Sequence, residues 1–250
     1  MNATVASLTS RSLLGRRRVV VLLLLPLALL ALCTLARVLG GLDADIENEL
    51  DTTLAPDLLG AFGIVILMPL LSLIAGTGSI GPEIEDGSIV YLLAKPLNRY
   101  SIIIAKLAVA IGVVIAFGVA PIAIAGWVLT GDVGTVTIAY SVGALAAGVA
   151  YAAVFLVLAV VTRNAVVVGL IYALIWESLV GGLVPGAQTL SIQQWSIAIV
   201  EQVMGESADR LGVASAVSFG VGLVLLVVVT IGATCYAGRR LQTLRINEQV

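Results

Sequence analysis

The 250-residue chain is 60% hydrophobic and only 11% charged, against roughly 45–50% apolar and about 25% charged in soluble domains, so it reads as an integral membrane protein. Its net charge of −2 accompanies basic residues held in short clusters beside apolar runs, with no broad basic patch, and no nucleic-acid role is indicated. Histidine is absent, which excludes His-based metal sites and His-dependent nucleophilic triads, and the two cysteines, Cys33 and Cys235, lie in separate apolar runs near opposite ends of their spans, where inert buried thiols are expected over a disulfide or metal pair.

A spanning helix needs about 20 mostly apolar residues. Six runs qualify, at 19–39, 58–80, 107–129, 138–161, about 165–183 and 212–237, and they predict an all-α polytopic fold in a single domain over 1–250. Arg16, Arg17 and Arg18 before the first run resemble the start of a signal peptide, but the run exceeds the roughly 7–15 residues of a signal core. Leu32 also stands where a lipoprotein cleavage site before Cys33 would carry a small residue. The run is therefore read as a retained first span. Pro26, Pro69 and Pro121 fall inside the first three spans, where they are expected to kink the helices without ending them.

After the first span, residues 40–57 carry Asp43, Asp45, Glu47, Glu49, Asp51 and Asp57 and no base. They lack the ligand spacing and central glycine of a calcium loop, so a solvated acidic loop is expected. Orientation follows from Lys and Arg. With a cytoplasmic N-terminus, Arg11, Arg16, Arg17, Arg18, Lys95, Arg99, Lys106, Arg163, Arg239, Arg240 and Arg245 are all inside, leaving Arg37 and Arg210 at the other face. Both termini are thus expected in the cytoplasm.

Between the second and third spans lies the densest mixture of acids and bases flanked by long apolar runs, in residues 82–106. Glu83, Glu85 and Asp86 precede Gly87 and Ser88, and Ser88 is placed to cap a short helix through Ile89, Val90, Leu92 and Leu93 that Pro96 stops. Lys95, Asn98 and Arg99 then mark the return to the membrane.

Small residues recur four apart at Ala144, Gly148 and Ala152 in the fourth run and at Gly212, Ala216 and Gly220 in the sixth, faces that let helices approach closely, within the chain or between subunits. In the fifth run, Glu177 lies fourteen positions beyond Arg163, about 21 Å along a helix and short of the roughly 30 Å hydrocarbon core. Two readings stay open: an intramembrane group on a translocation path, or a carboxylate in a watery vestibule because the helix ends near Gly181 and Gly182. Before the last span, Ile192, Trp195, Ile199 and Val203 recur at helical spacing, with Gln193, Gln194, Glu201 and Gln202 on other faces. This predicts a short amphipathic helix lying in or dipping into the outer interface, with Trp195 as its anchor; the alternative is an ordinary loop with one helical turn.

The second-to-third connection resembles the coupling helix of type-2 ABC exporter permeases, the ABC-2 family, through Glu83, Glu85, Gly87, Ser88, Leu92, Leu93, Pro96 and Arg99. The resemblance extends over the chain, with a short N-terminal helix near residues 4–14, six spans, both ends inside and a re-entrant element before the last span. It implies that segment 82–101, including Ile89, contacts an ABC ATPase subunit. It further implies two permease chains, identical or paralogous, in the bilayer, with ATP and Mg bound by the ATPase and no cofactor in this chain. No Gly-rich loop ending in Gly-Lys-Ser/Thr occurs in the sequence, in keeping with an ATPase on a separate chain. The abundance of Arg over Lys, with much Ala, Val and Gly, points to a prokaryotic plasma membrane. An ion-coupled secondary transporter is the second reading, and would usually need more mid-membrane charge. A membrane enzyme is third, with no paired-carboxylate, Ser-Lys or metal-ligand cluster behind it.

Overall fold

Apolar runs of this length have one solution in lipid, because each backbone N–H and C=O must be paired within its own segment or within a closed barrel. The computed structural model describes residues 9–10, 13, 15–41, 54–88, 99–180 and 186–243, and these contain helices and no strand. Helix α1 is Arg16–Gly40. Helix α2 covers 55–85 as three continuous pieces, Ala55–Asp57, Leu58–Leu67 and Met68–Glu85. Helix α3 is Arg99–Thr130 and α4 is Thr135–Val161. Helix α5 starts as Ala165–Ile171 and continues in wider turns over Tyr172–Val180. A single 3-10 turn, Gln188–Leu190, leads into α6 at Ile192–Met204, followed by α7 at Glu206–Arg210 and α8 at Phe219–Thr243.

Among the described residues five helices, α1, α2, α3, α4 and α8, are long and apolar enough to cross a membrane. The expected fifth span is there a shorter apolar helix, Ala165–Glu177, continuous with the wide turns that end at Val180. The helices at α2 and α3 reach well beyond their apolar runs, because polar ends such as 81–85 and 99–106 extend the same hydrogen-bond ladder.

Two of the three prolines are accommodated in the same way. Proline lacks an N–H and its ring collides with the carbonyl four residues back. Just before Pro69 and Pro121 the chain widens to π-turns, so that the Met68 N–H reaches the Gly63 carbonyl and the Ala120 N–H reaches the Ile115 carbonyl, five residues back. Each helix shifts its ladder by one residue and goes on, as such bulges allow. Pro26 sits inside α1.

Helix α4 is the central element, packed by α2, α3, α6 and α8. Its small residues make that possible. Ala144 and Ala152 are fully buried, and a Cβ added to Gly148 would stand 2.4 Å from Val114 Cγ1 and 2.5 Å from Met68 Cε. From the other side, a Cβ on Gly76 of α2 would lie 2.9 Å from the Ala152 carbonyl oxygen. The Ala144, Gly148 and Ala152 stripe is therefore internal packing, with large-to-small contacts that a methyl group would overfill.

The second stripe is corrected. Helix α8 starts at Phe219, so Gly212 and Ala216 lie in the connection before it, where Gly212 adopts φ +65° in a left-handed turn. The sixth span is displaced from 212–237 for a specific reason: the Ser215 N–H donates to Glu201 and the Ala216 N–H to the Gln194 side chain. Backbone donors taken by α6 side chains are not available for an α-helical ladder there. Helices α1 and α8 are peripheral, with Leu24, Leu27 and Val38 on one and Val224, Val228 and Ile231 on the other largely exposed, as lipid-facing residues are.

Candidate functional site

Among the described residues the bundle buries two charged side chains almost completely, Lys106 on α3 and Glu177 on α5. A charge removed from water is tolerated where it is paired and its hydrogen-bonding capacity is filled. The two sites meet that demand in opposite ways.

Lys106 lies near the end of the bundle where α2 stops and α3 begins. Its ammonium has three donors and three acceptors surround it: Glu83 Oε1 at 2.7 Å, the Ser79 carbonyl at 2.7 Å and the Thr9 hydroxyl at 3.5 Å. Ser79 and Glu83 stand four apart on α2, so one face of its last turns presents a carbonyl and a carboxylate together. Glu83 remains partly open to solvent, its side chain 30% exposed against 0% for Lys106, while its Oε2 has no hydrogen-bond partner among the described residues. Three segments of chain thus converge on one cation: the N-terminal stretch at Thr9, the end of α2, and α3.

Glu177 lies toward the opposite end. Its carboxylate is 1% exposed and accepts from four donors. The Tyr172 hydroxyl donates at 2.8 Å from the same helix; the Ser191 hydroxyl, the Ile192 N–H at 3.2 Å and the Gln193 N–H at 3.4 Å donate from the start of α6. The first N–H groups of a helix have no intrahelical acceptor, and a carboxylate beside them is favoured by the helix dipole. Glu177 therefore fills from α5 the capping place that Ser191, with no cap bond of its own to α6, leaves open. The watery-vestibule reading does not fit a carboxylate this deeply covered. Fully buried Tyr151 of α4 stands beside Glu177 and within its electrostatic field.

Helix α6 matches the helical spacing seen in the sequence, with Ile192, Trp195 and Ile199 buried and Val203, the fourth residue of that stripe, exposed. It is packed between α4 and α8. Trp195, expected as an anchor at the lipid interface, is 4% exposed, and its indole N–H donates to the Thr189 carbonyl at 2.8 Å. Its hold is on the protein, because an amphipathic helix tucked against two spans has its apolar face covered by them.

The residues singled out for coupling are only partly brought together. Glu83 is engaged by Lys106, and Glu85 is the last residue of α2. Gly87 follows in a left-handed turn at φ +68°, and the exposed Ser88 hydroxyl donates back to the Glu83 carbonyl at 3.5 Å. Arg99 opens α3 and donates from Nη1 to the Leu241 carbonyl, joining the start of α3 to the end of α8. Tyr100 next to it packs on Gly238 so closely that a Cβ there would lie 2.4 Å from the ring. Ile89, Leu92, Leu93 and Pro96, with the expected short helix, lie outside the described residues. No group of three or more potential metal-ligating side chains occurs among the described residues. Lys106 was legible only as one more base on the inner side. The signal that could have raised it is its place within IIIAKLAVA, where a lone cation in an apolar run requires a partner.

The bundle can now be set beside known proteins. The family described as ABC-2 family transporter protein matches residues 9–237, nearly the whole chain. The chain belongs to that family. Curated protein sequences return no match. As a member of the ABC-2 family it is a multi-pass membrane protein and an ABC-type permease. The matched region takes in both buried charges, the described part of the α2–α3 connection and α6, so both ends of the bundle belong to the ABC-2 permease unit.

Proposed function

We propose that this ABC-2 permease exports an amphipathic or hydrophobic solute, driven by ATP that a separate ATPase subunit hydrolyses. The ATPase, with ATP and Mg, docks on segment 82–101, and two permease chains, identical or paralogous, complete the transporter. The membrane is a prokaryotic plasma membrane with both termini cytoplasmic, an orientation supported by the clustering of Lys and Arg.

The single observation that carries this reading beyond family membership is the Lys106 to Glu83 pair at 2.7 Å. It fastens the last turn of α2, from which the coupling segment emerges, to α3 and to the N-terminal stretch. A push on that segment is thereby delivered to two spans together, which suits rigid-body tilting of the bundle. The residues around Glu177 weigh against an ion-coupled transporter: each of the two buried charges is already engaged by partners within the chain, whereas an ion-coupled site needs ligands to offer.

The experiment is co-purification with the ATPase in detergent, followed by ATP turnover in proteoliposomes, for the parent and for Leu92→Asp. A carboxylate forced into an apolar contact costs several kcal/mol, so binding and stimulation are expected to be lost while membrane insertion is normal. Leu92→Asp that inserts, binds and stimulates like the parent removes the coupling role from segment 82–101.

A further inference from the structure

The end of α8 meets Arg99 on the Lys106 side of the bundle, which puts its start, Phe219, on the other side. Two spaces of different character meet there. One is an apolar groove of about 540 Å3 that runs between Leu145 and Val149 of α4, Ile199 and Val203 of α6, and Leu223 and Val227 of α8. Thr230 is the single polar residue on its lining. The other is a polar cavity of about 360 Å3, bounded by Glu201 and Gln202 of α6, Asp209 of α7 and Ser218 before α8. Phe219 lines both. Each volume falls within the roughly 300–1,000 Å3 of ligand pockets.

The groove sets what the tail of a ligand must be. From Phe219 to Ile231 it follows α8 for twelve positions, about 18 Å and a little over half of the roughly 30 Å hydrocarbon core. Leu145, Leu223 and Val227 are exposed along it, so it opens sideways to lipid over about the depth of one leaflet. The cavity sets the head. Glu201 and Asp209 line it and no Lys or Arg does, and neither carboxylate is in an ion pair among the described residues. A concave surface carrying one sign of charge concentrates the opposite ion. The end of α6 and the start of α8 lie on the same rim with opposed dipoles, each equivalent to about half a charge, so the two carboxylates decide the sign. Glu201 is steadied by the Ser215 N–H, which donates to its Oε2 at 2.9 Å. A phospholipid is a poor occupant, because its phosphate would face these carboxylates.

We propose that the groove and the cavity form one site for a single-chain amphiphile with a cationic amine head, its ammonium facing Glu201 and Asp209 and its hydrocarbon lying along α8 between α4 and α6. Charge-assisted hydrogen bonds from the ammonium to the carboxylates hold the head. The exposure of Val203 on an otherwise covered stripe of α6 follows, because Val203 forms part of the groove wall. The site names the class of the amphipathic solute in the proposed function and rests on that reading for the amphiphile's role as cargo. Binding is measured on the permease chain alone, so failure of the coupling segment and failure of the site give different results.

The test uses the purified full-length chain in phosphatidylcholine nanodiscs, photolabelled with a dodecylammonium analogue that carries a diazirine near the end of its chain, and read by peptide mass spectrometry. Label is expected in α4 at 145–149 and in α8 at 227–231, the two walls of the groove. Excess dodecylammonium is expected to remove it, dodecanol and dodecanoate are not, and label on the lipid-facing side of α1 is expected to ignore all three. Glu201→Gln with Asp209→Asn keeps an acceptor for the Ser215 N–H. It is expected to keep the parental Tm and to need at least about tenfold more probe for the same groove labelling. If that pair unfolds, Asp209→Asn alone, at an exposed position, replaces it and is expected to weaken the labelling by a smaller factor. Ala146→Phe, which fills the groove, is expected to remove the label there. Parental labelling in whichever carboxylate variant is measured, or equal displacement by dodecanol or dodecanoate, overturns the cationic head. Ala146→Phe that leaves the label intact overturns the groove as its place. Ala146→Phe that splits a dimer, with the parent unlabelled in the groove, assigns the groove to a second copy of the chain and also overturns the site.

Discussion

The two buried charges differ in what their removal leaves behind. Lys106 is one half of an ion pair whose other half, Glu83, is itself a charge. Glu177 has no cation among its hydrogen-bond partners; hydroxyls and the N-terminal amides of α6 hold it. Deleting the first strands an opposite charge, while deleting the second strands only neutral donors. The lesson is that burial alone does not rank these residues, because stability depends on the partner left unpaired.

The largest expected effect is therefore at Lys106. Lys106→Met should destabilise the chain by about 3 kcal/mol, toward the low end for a broken buried pair because Glu83 keeps some access to solvent. Thermal unfolding in detergent measures it, and Lys106→Met with Glu83→Leu should recover most of the loss, since no lone charge remains. A double variant as unstable as the single one breaks the comparison. Glu177→Gln comes next, at about 1.5–3 kcal/mol for weakened bonds to a charged acceptor. Its distinctive readout is faster hydrogen exchange over Ile192–Met204 with α4 unaffected; exchange rising equally in both helices would mean that Glu177 holds the whole bundle and not the start of α6. Transport by the complex is expected to change as well, because α6 is repositioned. Tyr151→Phe is the smallest, at about 0.5–1 kcal/mol, because it removes one neutral hydroxyl beside Glu177 while the carboxylate keeps its bonds from Tyr172, Ser191, Ile192 and Gln193. A large cost there would mean that Tyr151 shares the hold on Glu177.

The spans were legible because a long apolar run in lipid has little choice but to be helical, and α6 was legible because Ile192, Trp195 and Ile199 recur on one face. The start of the last span was not. Residues 212–218 are as small and apolar as a helix start, and only the long-range bonds from Glu201 and Gln194 to the backbone at 215 and 216 show why they form a connection. The same limit hid the fate of Glu177. Its depth could be counted along the helix, but its acceptor role depends on amides fifteen and sixteen residues later. Glu83 and Lys106 were both visible as charges; their pairing required knowing that α2 and α3 pack side by side with Ser79 facing the same cation.

The central claim is that the two ends do different work, the Lys106 end transmitting force from an ATPase and the Glu177 end positioning α6. The most direct measurement is the affinity of the ATPase subunit for two folded variants, Lys106→Met with Glu83→Leu and Glu177→Gln, in the same detergent. The account predicts weakened ATPase binding for the first and parental binding for the second. Parental binding for the first, or equal loss in both, would contradict it.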